Sequence, residues 1–131
     1  MGGAPDKKLI LVVEDDDQTA LFIRHFLEQD GFEVVQAADG RQALAVIAEM
    51  EPPALITLDI DLPHTSGDEL MMQIKTQPGW ERVPVVMVTA TPKSANTPWA
   101  VKAGAKAYLV KPFKPAELLE TVKKLIARSA Q

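Results

Sequence analysis

The sequence predicts an α/β fold, a parallel sheet of five strands with helices on both faces. Three observations predict it. Five short runs rich in Val, Ile and Leu recur along the 131 residues. Longer segments with helical spacing separate them. Most of the runs are continuous rather than alternating, as strands buried on both faces are. Strand and helix in regular alternation imply parallel pairing with right-handed crossovers.

The first run is Leu9 to Val13. Thr19, Phe22, Ile23, Phe26 and Leu27 then share one helical face, and Gly31 supplies a stop. The second run is Phe32 to Ala37, after which Asp39 is the candidate N-cap of a helix with Ala43, Leu44 and Ile47 on its apolar face. The third run is Ala54 to Leu58. A third helix is predicted from Ser66, because Ser66-Gly67-Asp68-Glu69 has the capping-box pattern. The fourth and fifth runs are Val83 to Val88 and Ala107 to Val110. Between them Ala100 to Ala103 has helical character, but Pro98 would break a helix running through it, so the fourth helix is expected to be short or to start near Pro98. Leu118, Val122 and Leu125 mark the last helix, with Pro115 in its first turn.

Composition narrows the function classes. Apolar residues make up 47% and charged residues 24%, the balance of a folded single domain. The absence of cysteine excludes disulfides and thiolate metal sites. A net charge of -4 argues against direct nucleic-acid binding, which needs a basic face. No run approaches the roughly 18 apolar residues of a membrane span. Met1 to Pro5 lacks the apolar stretch of a signal peptide, so a cytoplasmic protein is expected.

Chemistry is expected at the carboxyl ends of the strands, where open parallel sheets form crevices. Strand one runs into Glu14-Asp15-Asp16-Asp17 and strand three into Asp59-Ile60-Asp61. Two acidic clusters should face each other there. Carboxylates held close repel, and burial makes each charge costlier. A hard divalent cation with oxygen ligands, Mg2+ or Mn2+, relieves both problems, whereas no His or Cys cluster suggests zinc. Thr89 and Lys111 stand at the ends of strands four and five. Each residue alone has an ordinary reading: a solvated helix start, a turn residue, a strand threonine, a surface lysine. Together they make a phosphoryl-transfer site, with an Asp nucleophile, a cation, a lysine and a hydroxyl.

These residues resemble a known family. Ile10-Leu11-Val12-Val13-Glu14-Asp15-Asp16, Asp59-Ile60-Asp61-Leu62-Pro63 with Gly67, Val88-Thr89-Ala90 and Lys111-Pro112-Phe113 are together similar to the receiver domain of two-component response regulators, the CheY-like family. The resemblance covers residues 7–128, leaving 1–6 and 129–131 as tails. It implies a flavodoxin-like strand order 2-1-3-4-5. It implies that Asp59 is the phosphoacceptor, that Asp15 ligates the metal directly and Glu14 through water, and that the third protein ligand beside Asp59 is the backbone carbonyl of Asp61. Lys111 would pair with the phosphoryl group, and the Lys111–Pro112 bond would be cis. Thr89 and Tyr108 would form the switch pair, and Asp61 and Thr91 would tune the lifetime. The implied donor is a histidine kinase or a phosphotransfer protein, docking near the first helix and the Lys111 to Pro115 loop. The output face would comprise the fourth helix, the fifth strand and the last helix, in a monomer or weak dimer with an output partner of unspecified kind. Such a domain is not a conventional enzyme; it assists only its own phosphorylation and hydrolysis.

Two departures and two rivals accompany the resemblance. Asp61 places an acid two residues past the acceptor, and Pro98-Trp99 falls where the fourth helix usually runs, with Trp99 expected to be partly buried. His25 and His64 read as surface or helix residues. Leu58 to Leu62 also resembles the Asp-x-Asp motif of haloacid-dehalogenase-type phosphatases, but that family carries it on the first strand. A phosphorylation-independent receiver-fold binding module is the other rival, against which stands the retention of the acid pair and the acceptor.

Overall fold

Val, Ile and Leu dominate the strands, and the sheet they form is parallel throughout. The computed structural model describes residues 8–62, 67–90 and 105–129. The strands are β1 (Leu9–Val13), β2 (Glu33–Ala37), β3 (Leu55–Asp59), β4 (Val85–Thr89) and β5 (Ala107–Val110). The described helices are α1 (Asp17–Gln29), α2 (Gly40–Glu49), α3 (Gly67–Thr76) and α4 (Pro115–Ser129). The strand order is β2-β1-β3-β4-β5, as the resemblance implied. The expected helix near Pro98, together with Thr91, Trp99, His64 and the Ser66 end of the capping box, lies outside the described residues.

The core forms two layers, one on each face of the sheet. Leu11, Val13, Ile56, Leu58, Val85 and Met87 point to the α2–α3 side, where Leu70, Ile74 and Trp80 meet them. Ile10, Val12, Leu55, Val86 and Val88 point to the other side, against Ile23 and Leu27 of α1 and Leu118, Val122 and Leu125 of α4. Alternate residues thus serve opposite layers, which is why the central strands read as continuous apolar runs. β3 and β4 are buried at every position, whereas the edge strands β2 and β5 are only partly so.

The helix ends follow the local chemistry. The Asp39 side chain accepts from the Gln42 N–H and starts α2. Asp16 does the same for α1, accepting from the Thr19 N–H at 2.9 Å. Gly31 at φ 95° turns the chain out of α1, and Pro115 opens α4. Two details differ from the sequence pattern. Leu44 is 38% exposed at the edge of the α2 face rather than within it. Trp80, in the α3–β4 connection, is fully buried although no periodicity marks it.

Candidate functional site

Three strands deliver residues to one carboxyl edge by extending their own ladders, and β4 contributes its last residue, Thr89. The Glu14 N–H donates to Ala37 O at 3.0 Å, one step past β1. The Ile60 N–H donates to Val88 O at 3.1 Å, and the Lys111 N–H to Thr89 O at 2.8 Å. The residues immediately after β1, β3 and β5 therefore keep strand geometry, and their positions are set by the sheet rather than by free loops.

Two of the three acids are buried. Glu14 and Asp59 are 1% and 2% exposed, while Asp15 is exposed. One carboxylate oxygen from each of Glu14, Asp15 and Asp59 lies within 4.8 Å of the others. Lys111 is the opposing cation. Its Nζ lies 3.1 Å from Glu14 Oε1, 3.2 Å from Oε2 and 3.3 Å from Asp59 Oδ2. Only the Oε2 contact to Glu14 has hydrogen-bond geometry, so Oε1 is buried without a donor. The Lys111–Pro112 peptide is cis.

The electrostatics show how crowded the acids are. Burial, then the hydrogen bond to Asp59, then the Asp59 charge push the Glu14 carboxyl up from 4.5 to about 7. The Asp16 N–H at 3.2 Å and Lys111 act in the opposite direction without prevailing. Burial pulls the Lys111 ammonium down, but the hydrogen bond to Glu14 and the charges of Asp59 and Glu14 outweigh it and hold Lys111 above the ordinary lysine range. One lysine does not neutralise three carboxylates. The donor set, all carboxylate oxygen with one buried oxygen lacking a donor, fits a hard divalent cation.

The remaining predicted residues fall around this group. Thr89 ends β4 and is fully buried. Tyr108 pairs with Met87 in the β4–β5 register, which puts Tyr108 and Thr89 on one face of the sheet. Tyr108 is half-buried against the α2–α3 core layer. Asp61 is exposed; its N–H donates to Asp59 Oδ1 at 2.8 Å, and its Oδ2 accepts from the Ala90 N–H at 3.3 Å. The Asp-x-Asp pair thus ends the third strand, not the first. Beside the site, the Phe22 ring of α1 meets Phe113 edge-on at 5.7 Å, and exposed His25 meets Phe26 at 4.9 Å. Sequence reasoning missed the backbone donors of Asp16 and Ala90. An N-cap reading of Asp16 would have pointed to its N–H, whereas the Ala90 N–H depends on the register alone.

Comparison with known proteins agrees with the fold and points to one family. The family model described as "Response regulator receiver domain" matches residues 10–123. The "Alkaline phosphatase synthesis transcriptional regulatory protein PhoP" of Bacillus subtilis is 37% identical over 122 residues, 93% of this chain and 50% of that protein. The chain spans about half the length of the curated relatives it matches. Among solved structures, the chemotaxis response regulator CheY4 of Vibrio cholerae superposes with a TM-score of 0.85 at 30% identity, covering 92% of this chain and 99% of that one. The receiver domain of the sensor histidine kinase PA1611 from Pseudomonas aeruginosa, solved with a magnesium ion in its active-site cleft, has a TM-score of 0.81 at 31% identity, covering 93% and 99%.

Proposed function

The chain belongs to the response regulator receiver domain family, and from that premise we propose that it is a phosphorylation-controlled switch that accepts a phosphoryl group on Asp59. The observation that carries the reading is the convergence on Asp59, at the end of β3, of Glu14 and Asp15 from the end of β1 and Lys111 from the end of β5.

In the proposed step a carboxylate oxygen of Asp59 attacks the phosphorus of a phosphohistidine. The P–O bond forms as the P–N bond breaks, and the released imidazole nitrogen takes a proton from water. Lys111 Nζ, already on Asp59 Oδ2, neutralises a phosphoryl oxygen. The Thr89 hydroxyl supplies a further donor. Asp15, Asp59 and the Asp61 carbonyl would hold Mg2+, with Glu14 acting through water; the cation supplies charge neutralisation between the acids and the phosphoryl oxygens. Thr89 and Tyr108, on one face, form the proposed switch pair. Asp61 and Thr91 tune the lifetime.

The proposed donor is a histidine kinase or a phosphotransfer protein that docks on α1 and the Lys111 to Pro115 loop, in the cytoplasm. Among the described residues no helix is long and apolar enough to cross a membrane. The change is read by the face containing β5 and α4. The protein promotes its own phosphorylation and hydrolysis without turning over an external substrate.

Incubation with acetyl phosphate and Mg2+, followed by intact mass, tests this. Wild type should gain one phosphoryl group, and Asp59→Asn or added chelator should abolish the gain. Equal gain by Asp59→Asn would refute the assignment.

A further inference from the structure

The opposite edge of the sheet holds a second buried lysine, and its surroundings are the reverse of those of Lys111. Lys75 stands in the last turn of α3. A lysine there commonly serves the free carbonyls of its own helix. Lys75 instead reaches out of the helix, and its Nζ donates to Val83 O at 2.9 Å, just before β4 begins. Lys106 approaches the same place from the other side. Its N–H donates to Val85 O at 2.9 Å, which continues the β4–β5 ladder one step towards the amino edge. Two residues on, Tyr108 faces the α2–α3 layer, so Lys106 lies on the α3 side of the sheet.

The two lysines have no acid between them. Among the described residues no carboxylate forms an ion pair with either. Lys75 is half-buried, with one carbonyl as its hydrogen-bond partner, while Lys106 is exposed. Burial first, and then the charge of Lys106, hold the Lys75 ammonium below the ordinary lysine range. Lys111, buried beside two acids, is held above it. A lysine that is partly desolvated and set next to another cation is an activated nucleophile, because more of it is present as the free amine.

We propose that Lys75 is a modification site, acylated on Nζ by small acyl phosphates whose phosphate group is drawn in by Lys106. The neutral amine attacks the acyl carbonyl carbon. The C–N bond forms as the C–O bond to phosphate breaks. Phosphate leaves with that electron pair and takes the proton lost from nitrogen, so the products are an amide and inorganic phosphate. The remaining amide N–H can stay on Val83 O. The reaction uses neither Asp59 nor a cation. An acyl phosphate therefore has two ends at which to meet this chain: its phosphorus at Asp59, on the proposed function, and its carbonyl carbon at Lys75. The product removes a positive charge from the amino edge.

The test incubates the full chain with acetyl phosphate and a chelator, which withholds the cation from Asp59. Acetylation is then read lysine by lysine over time by mass spectrometry of peptides. Lys75 should acetylate about twofold to fivefold faster than the exposed Lys124, and Lys106→Gln should slow Lys75 by a similar factor, the worth of one exposed charge interaction. The rate at Lys124 should not change. With p-nitrophenyl acetate, a neutral acetyl donor, Lys106→Gln should slow Lys75 less than it does with acetyl phosphate, since no phosphate is there to be attracted. Acetylation of Lys75 no faster than of Lys124 overturns the proposal. So does a Lys75 rate that ignores Lys106→Gln, and equal slowing with both donors overturns the part given to Lys106 in drawing in phosphate.

Discussion

Lys111 carries the largest share of the charge balance of any residue in the site. It is the cation beside two buried acids, Glu14 and Asp59. Replacing it with Met keeps most of the stem and removes the charge. Loading from acetyl phosphate should then fall by about tenfold to a hundredfold, the cost of losing a hydrogen bond to a charged group. Quenched intact mass over time measures it, and an unchanged rate would show that Lys111 does not assist transfer. The sequence made Asp59, Glu14, Asp15 and Lys111 legible because strand ends in a parallel sheet share one edge, and a run of apolar residues tells where each strand stops. It left the burial of Glu14 and the exposure of Asp15 open, since adjacent acids read alike until a ladder bond turns one inward. The reach of Asp61 to Ala90 was equally hidden, because it depends on the register of β3 against β4.

At the level of elements, short capped helices hold the strands in place. Asp39 makes a side-chain hydrogen bond at 2.8 Å to the first turn of α2. Asp39→Ala should cost about 0.5–2 kcal/mol, seen as a lower urea midpoint at unchanged slope. Trp80 fills the α2–α3 layer, and Trp80→Ala should cost more, about 3–5 kcal/mol by the same measurement. A loss below about 1 kcal/mol would contradict its burial. The described helices and strands were legible from their periodicity and, for α2, from its Asp39 cap. Trp80 was not, because a connection has no periodicity to reveal which of its residues turns inward, and here Gly79 at φ 90° reverses the chain just before it. Leu44 misled in the opposite direction, since spacing defines a face but not how far the neighbouring helix covers it.

Across the whole molecule, the crowded acids link stability to pH and to cation. The folded Glu14 carboxyl keeps its proton up to about 7, whereas the unfolded chain releases it near 4.5. Below 4.5 both states are protonated and the contribution is complete. Between 4.5 and about 7 only the unfolded state ionises, so this contribution is lost as pH rises. Without divalent cation, the stability of the protein should decline across that window, and millimolar Mg2+ should flatten the decline while raising the midpoint. Thermal melts at pH 5, 6, 7 and 8 with and without Mg2+ measure both. A cation effect equal at pH 5 and pH 8 would break the link, because a ligand held by carboxylates must compete with their protons. The same geometry has a consequence for biosynthesis. Lys111 and Glu14 are 97 residues apart, and β5 follows the other four described strands in chain order. A chain extended only through β4 has the acids without their lysine, so on the proposed function it would repel the incoming phosphoryl anion. On the proposed function, competence to receive a phosphoryl group would then wait until β5 and Lys111 have joined the sheet.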